Sequence, residues 1–455
     1  MLFRKKPAID QPITRIKPRR NKKLRAFFWG LTLIVVGIIT WVGVTGIIAF
    51  NNIQAKNDGD GPDFFKYGGN IDPNSLTEGA SRINTLLIGA DNAAGLTDSI
   101  QIYSVDPINN TLAMLSVPRD LYVDNPLGGK SKINEIYNAG IKKCALSGNC
   151  DPDVDQGASA LKKVLETILG IRVHYFARAD FQGFKSVVDS IGGVSIYVEK
   201  ALSDSNFPCE NDASKPCGYF QPAGTFNMTG SQALKYARCR GGNCGSDFGR
   251  AARQQQVVEA IREKTLSLGI ISNPKRVTDT ISAIGNHLRT DLKITEMTKL
   301  FELVQNVDKT KTIAKVIDNG PSGPLMSSHN IYGQYILIPK AGENDWSKVH
   351  QFVLTAMPEP YLIKENAKIV VIDASGKKIG KDVTAALKAV GYNVIATETV
   401  ATTTTETTIW GKDGNPYTNA LLKKRLLATV ITGEPTTAAL EKDFVLVIGT
   451  NYVLK

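Results

Sequence analysis

The chain has 455 residues, 42% hydrophobic and 21% charged, a composition that excludes collagen-like, coiled-coil and wholly disordered architectures. Its net charge of +11 invites a nucleic-acid reading, but residues 1–25 hold ten Lys/Arg against one acid and so carry nine of those charges. The remaining body is close to neutral, and no nucleic-acid partner is expected.

The basic tail is followed by residues 26–50, which contain no charged side chain. A helix of that length spans about 37 Å, enough to cross a hydrocarbon core of ~30 Å. The basic region is too long and the apolar run too extended for a cleaved signal peptide. We therefore expect a single membrane span, with residues 1–25 cytoplasmic and everything after 50 outside. Cysteine usage points to the same side. Six cysteines fall as three close pairs, Cys144/Cys150, Cys209/Cys217 and Cys239/Cys244. Fifteen connectivities are open, and three local loop clasps are the simplest of them. Disulfides persist in an oxidising compartment. A zinc site is the competing reading, but no nearby His completes a tetrahedron.

Residues 51–80 are rich in Asn, Asp, Gly and Pro and read as a stalk. An α/β region over 81–355 follows, with strands expected at 84–88, 99–105 and 111–117. Helices are expected at 133–139, 157–169 and 181–190, strands at 173–176 and 194–198, and a long helix over 248–268. Met357-Pro-Glu-Pro360 marks a linker over 356–367. A smaller α/β unit over 368–455 reads as strand 368–372, helix 383–390, strands 393–397 and 407–410, helix 417–427 and strand 444–448. Its Thr-rich tract, 399–408, is expected as a mobile or edge segment.

If the first three strands form a meander, the ends of the first and third emerge on the same rim. Asp91 follows the first strand, Asp98 precedes the second and Arg119 follows the third. Two carboxylates and a guanidinium there can hold a hard cation next to an anion, although Asp also favours turns on its own account. In the long helix, at about 100° per residue, Arg253 and Gln254 lie about 60° and 40° either side of Arg250, on the stripe of Val257 and Ile261. Glu259 and Glu263 take the outer face. Inward-facing guanidiniums need a partner, either an acid such as Asp247 or a bound anion at the helix N-terminus. Arg238 and Arg240 share a face if their stretch is extended. With Arg119, Arg250 and Arg253 they make five guanidiniums able to ring one phosphate-binding site. No phosphate loop or serine nucleophile elbow is present, and His174, His287, His329 and His350 are scattered.

The ordered motifs Asn84-Thr-Leu-Leu-Ile-Gly-Ala-Asp91, Leu96-Thr-Asp-Ser99, Ser116-Val-Pro-Arg-Asp120, Lys132-Ile-Asn134, Ala179-Asp-Phe-Gln-Gly-Phe184, Asp189-Ser-Ile-Gly-Gly-Val194, Gly230-Ser-Gln-Ala-Leu-Lys-Tyr-Ala-Arg238 and Asp247-Phe-Gly-Arg-Ala-Ala-Arg-Gln254 resemble the LytR–CpsA–Psr family along residues 81–305. Residues from 368 are similar to a LytR C-terminal domain. The resemblance implies an α/β/α sandwich around a mixed central sheet. It also implies an extracellular, membrane-anchored phosphotransferase that moves a glycan phosphate from a polyprenyl pyrophosphate carrier to peptidoglycan. By motif, Asp91 and Asp98 correspond to the Mg²⁺-associated carboxylates. Arg119, Lys132, Arg238, Arg240, Arg250, Arg253 and Gln254 correspond to the pyrophosphate-binding set, and Phe181, Phe184 and Val188 to the lipid tunnel. Asp98 or Asp91 would also help deprotonate the attacking hydroxyl, with Arg119 stabilising the transferred charge. Two departures stand out. Leu96 replaces an Arg common in the family, and Cys239/Cys244 within the arginine motif is not a general family feature. Sequestration of the lipid-linked glycan without turnover, as in a regulatory envelope protein, and transfer of the phosphate to water are the alternatives.

Overall fold

The computed structural model describes residues 54–453 except 59–61, 63–64, 66–70, 77–78, 80, 92–95, 210–213, 268–286, 308–311 and 438–439. The expected tail and membrane span lie outside the described residues, among which no helix is long and apolar enough to cross a membrane. Strands β1 (Ile83–Asp91), β2 (Leu96–Asp106) and β3 (Thr111–Val117) form the expected antiparallel meander. Strand β4 (Tyr175–Asp180) joins β1 in parallel, β5 (Leu288–Thr290) pairs antiparallel with β4, and β6 (Thr312–Val316) runs parallel to β3. The mixed sheet thus has the order β5-β4-β1-β2-β3-β6.

Alternation along the strands feeds two cores. Leu86 and Ile88 pair across from Ile102 and Ile100, and these pack with Leu115 and Val117 against helices α1 (Ile136–Ser147) and α2 (Gln156–Leu169). On the other face Ile83, Tyr103, Val105, Met114 and Tyr175 pack against α3 (Phe181–Ser190), α4 (Gly230–Arg238), α5 (Asp247–Ser267) and α6 (Ile294–Gln305). Helix α7 (Ser347–Ala356) closes the first core. A sheet buried on both faces gives the three α/β/α layers expected.

Local signals set the helix ends. Asp155 and Asp180 cap α2 and α3 by accepting from the backbone N–H groups of Ala158 and Gly183. The helix expected at 133–139 begins as a 3-10 turn, Ile133–Glu135, and runs on to Ser147 because the first residue to stop it is Gly148, at φ 63°. The strand expected at 173–176 is shifted to Tyr175–Asp180.

Beyond the short helix α8 (Pro360–Glu365), strands β7 (Lys368–Asp373), β8 (Asn393–Thr399), β9 (Thr408–Gly411), β10 (Thr429–Val430) and β11 (Phe444–Ile448) form a second sheet, ordered β8-β7-β11-β9-β10. Helices α9 (Gly380–Ala389) and α10 (Pro416–Leu426) cover it. In both segments expected as connectors, described residues are packed. Ala55 N–H donates to Thr290 on β5 at 2.7 Å, and Ile71 and Leu76 are buried in the core of the second sheet. In the stretch read as a linker, Tyr361 is buried and stacks on Tyr417 with ring centroids 4.0 Å apart. Their apolar residues cover surface that the second sheet would otherwise expose. The Thr-rich tract is tied down by Val400 N–H to Asp373 and Thr404 N–H to Ala374. Disulfides join Cys144 to Cys150, Cys209 to Cys217 and Cys239 to Cys244, the three local clasps, which leaves zinc no thiolate ligand.

Candidate active site

The rim is built by a bulge. Gly89 pairs with Ser99 and Ala90 with Thr97, so Asp98 is an extra residue in β2. Successive residues of a regular strand point to opposite faces, yet Asp98 and Ser99 both line the same cavity. Arg119, just past β3, reaches that point. Its Nη1 donates to Asp98 Oδ1 at 3.0 Å and its Nε to Asp247 Oδ2 at 3.2 Å. Asp91 ends β1 opposite Leu96, and its side chain lies outside the described residues.

Helix α5 supplies the opposite wall. Arg250 and Arg253 are each 8% exposed, so both face inward as the periodicity indicates. Arg250 Nη1 lies 3.3 Å from Asp247 Oδ1, making Asp247 the shared partner of Arg119 and Arg250. Gln254 Oε1 accepts from Ser99 Oγ at 2.9 Å. The outer face is less solvated than expected: Glu259 is half-buried and Arg262 is 2% exposed. The helix packs between core and neighbours over most of its circumference. Burial pushes the Glu259 carboxyl up to about 7, although Arg262 opposes this.

Arg238 does not lie in an extended stretch. It is the last residue of α4, whose start is fixed by a capping box of Thr229 with Gln232 and by Gly230 N–H donating to Asp189 at 2.7 Å. Its guanidinium sits 4.4 Å from the Phe181 ring centroid and 5.9 Å from that of Phe207. The loop after α4 carries Arg240, which is exposed.

These elements enclose a cavity of about 360 Å³. Its polar lining includes Asp98, Ser99, Arg119, Arg238, Arg240, Arg250 and Gln254. Its apolar lining includes Leu87, Ala177, Phe181, Phe184, Leu234, Val258 and Leu288. Burial disfavours the Arg119 charge, but Asp247, Asp120 and Asp98 outweigh it and raise its pKa. Burial also works to raise Asp247, yet Arg250, Arg119 and Arg240 hold it below the ordinary carboxylate value. Arg250 is lowered, chiefly by burial, with Arg119 and Arg240 repelling it against the pull of Asp247 and Asp98. Among the described residues no carboxylate forms an ion pair with Arg238 or Arg240. A cavity that combines several guanidiniums with many apolar side chains suits an anionic head on an apolar tail.

Not every expected residue reaches the cavity. Lys132 Nζ is held by Asp120 Oδ1 at 2.7 Å, Arg253 is turned onto backbone carbonyls, and Val188 is fully buried in the core. Asp204 and Phe207 line the cavity without having been singled out. They come from the segment before the Cys209–Cys217 clasp, where no periodicity marks them. In the sequence Asp247 shows as a possible partner of the inward arginines and as the first residue of the motif that ends at Gln254.

Comparison with known proteins bears on this site. The LytR_cpsA_psr family model matches residues 51–337. A "Polyisoprenyl-teichoic acid--peptidoglycan teichoic acid transferase TagU" of Oceanobacillus iheyensis is 28% identical over 306 residues, covering 65% of this chain and 85% of that protein. "Regulatory protein MsrR" of Staphylococcus aureus is 35% identical over 208 residues, 44% of this chain and 55% of its own length. Among solved structures, B. subtilis TagV is similar at 23% identity with a TM-score of 0.44, covering 61% of this chain and 97% of that one. "TagT bound to LI-WTA" is similar at 21% identity and a TM-score of 0.47, covering 67% and 98%. With the family model matching well over half of its length, the chain belongs to the LytR–CpsA–Psr family.

Proposed function

We propose that the protein is a membrane-anchored transferase acting outside the cell. It moves a glycan phosphate from a polyprenyl diphosphate carrier to a peptidoglycan hydroxyl, with release of polyprenyl monophosphate. The observation that carries this reading is the placement of Arg238 and Arg240, with no ion-paired carboxylate among the described residues, on a cavity also lined by many apolar side chains. The transferase name of the Oceanobacillus relative supports it.

The acceptor oxygen attacks the sugar-bearing phosphorus, and the bond from that phosphorus to the bridging oxygen breaks. The electron pair leaves with the polyprenyl phosphate. Arg119, Arg238, Arg240 and Arg250 neutralise the charge that develops, which is the main catalytic demand in phosphoryl transfer. Asp98 holds Arg119 through Oδ1, and a carboxylate of the rim, Asp98 or Asp91, takes the hydroxyl proton. Phe184, Leu234 and Val258 receive the first part of the lipid.

Among the described residues no group of three or more His, Cys, Asp or Glu is assembled for a metal. The donor set nevertheless fits Mg²⁺, which commonly takes one or two carboxylates and completes its shell with phosphate oxygens and water. Asp98 and Asp91, whose backbones meet at one end of the β1–β2 pair, would hold it, and it would supply further neutralisation of the diphosphate.

The test is incubation of the full chain in detergent with a polyprenyl-diphosphoryl sugar, Mg²⁺ and peptidoglycan fragments. Polyprenyl monophosphate together with a phosphodiester on the acceptor is expected. Free sugar phosphate would mark a hydrolase, and intact lipid bound to the protein would mark a sequestering protein. Either result overturns the proposal.

A further inference from the structure

Arg253 is a buried guanidinium whose hydrogen bonds go to backbone carbonyls. Its Nε donates to the Tyr236 carbonyl at 3.2 Å, its Nη1 to that of Cys244 at 2.6 Å, and its Nη2 to that of Cys239. Among the described residues no carboxylate forms an ion pair with it. The three carbonyls belong to the last turn of α4 and to the loop closed by the Cys239–Cys244 bridge. Carbonyls at a helix C-terminus lack intrahelical donors and lie at the negative end of the helix dipole. One planar guanidinium satisfies several of them while holding their spacing.

What this arrangement fixes is the cation pair of the cavity. Arg238 is the last residue of α4, and Arg240 lies in the bridged loop. From the other side Asp204 accepts from Gly241 N–H at 2.8 Å, and a Cβ on Gly241 would lie only 2.3 Å from Asp204 Oδ1, so the loop is seated tightly on that carboxylate.

We propose that Arg253 and the Cys239–Cys244 bridge form a clamp that positions Arg238 and Arg240 for the diphosphate. Arg253 is a positioning residue and does not touch the ligand. The identity of the ligand rests on the transferase reading above; the clamp itself rests on the contacts of Arg253.

The test is a double-mutant cycle read by calorimetric binding of geranylgeranyl diphosphate to the full chain in detergent. Arg253→Met is expected to weaken binding about tenfold, within the range of interaction energies between contacting residues. In an Arg238→Gln/Arg240→Gln background it should cost nothing further, because the residues it positions are gone. Additive losses would mean direct contact, and an unchanged affinity would mean no role; either overturns the proposal. Cys239→Ser/Cys244→Ser should behave in the same way and serves if Arg253→Met fails to fold. Hydrogen exchange over residues 236–244 reads the clamp without ligand. Protection should fall in both variants, and unchanged protection overturns the clamp. Absence of binding by the wild-type chain would instead overturn the diphosphate reading, with the exchange result still deciding the clamp.

Discussion

Asp98 Oδ1 lies 3.0 Å from Arg119 Nη1, and the contact depends on a single extra residue in β2. Without the bulge Asp98 would share the face of Ile100, inside the opposite core, and Arg119 would lose its partner on the rim. The place of Asp98 on the rim is thus set by strand geometry.

Arg119, just past β3, ties β2 to α5 through Asp98 and Asp247 and lines the cavity. Arg119→Ala should lower turnover by about 10²-fold or more, the scale expected for removing one preorganised charge-stabilising group. Arg119→Lys should recover only part of it, since an ammonium cannot span Asp98 and Asp247 as a planar fork does. Steady-state transfer rates on purified protein measure both.

The apolar wall makes a separable prediction. Phe184→Ala should weaken binding of a long polyprenyl diphosphate by about 10- to 150-fold, in keeping with the ~1.5–3 kcal/mol attached to a large buried apolar side chain, and affect inorganic diphosphate much less. Phe181→Ala should weaken both, because Phe181 also stacks on Arg238 at 4.4 Å. Competition binding with the two ligands distinguishes the cases.

Much of this was legible beforehand, and the misses have physical causes. Helix Phe181–Ser190 shows an amphipathic period with an Asp cap, and strand Val194–Val198 alternates cleanly. The inward turn of Arg250 and Arg253 followed from helical phase alone. Their partners did not: Asp247 and the carbonyls of Tyr236, Cys239 and Cys244 depend on where α4 ends, which periodicity does not encode. The bulge at Asp98 is equally silent, because pairing register belongs to two strands at once.

Stability should depend on a buried ion cluster away from the cavity. Lys162 Nζ lies 3.1 Å from Asp291 and 3.2 Å from Asp58, with the Lys162 and Asp291 side chains only 6% and 1% exposed. Lys162→Met leaves Asp291 buried without its cation and should cost about 3–5 kcal/mol in chemical denaturation. Asp291→Asn in the same background should recover part of that loss.

Glu359 gives a pH signature. It is 1% exposed, and burial pushes its carboxyl up to about 7 despite the nearby Arg82 guanidinium. Below its ordinary value of 4.5 the group is protonated in both folded and unfolded chains. As pH rises from there to about 7, the unfolded chain ionises more readily, so the folded state loses stability across that window and stays lower above it. Glu359→Gln should therefore raise the Tm at pH 8 and leave it nearly unchanged at pH 4. Thermal melts at the two pH values measure the difference.

The most direct measurement is a crystal structure of the protein with a polyprenyl diphosphate. The account predicts the diphosphate oxygens within hydrogen-bonding distance of Arg119, Arg238, Arg240 and Arg250, and the first isoprene units against Phe184, Leu234 and Val258. Arg253 should still be on its three carbonyls. A diphosphate bound elsewhere, or one seated in this cavity with Arg238 and Arg240 turned away from it, would contradict the account.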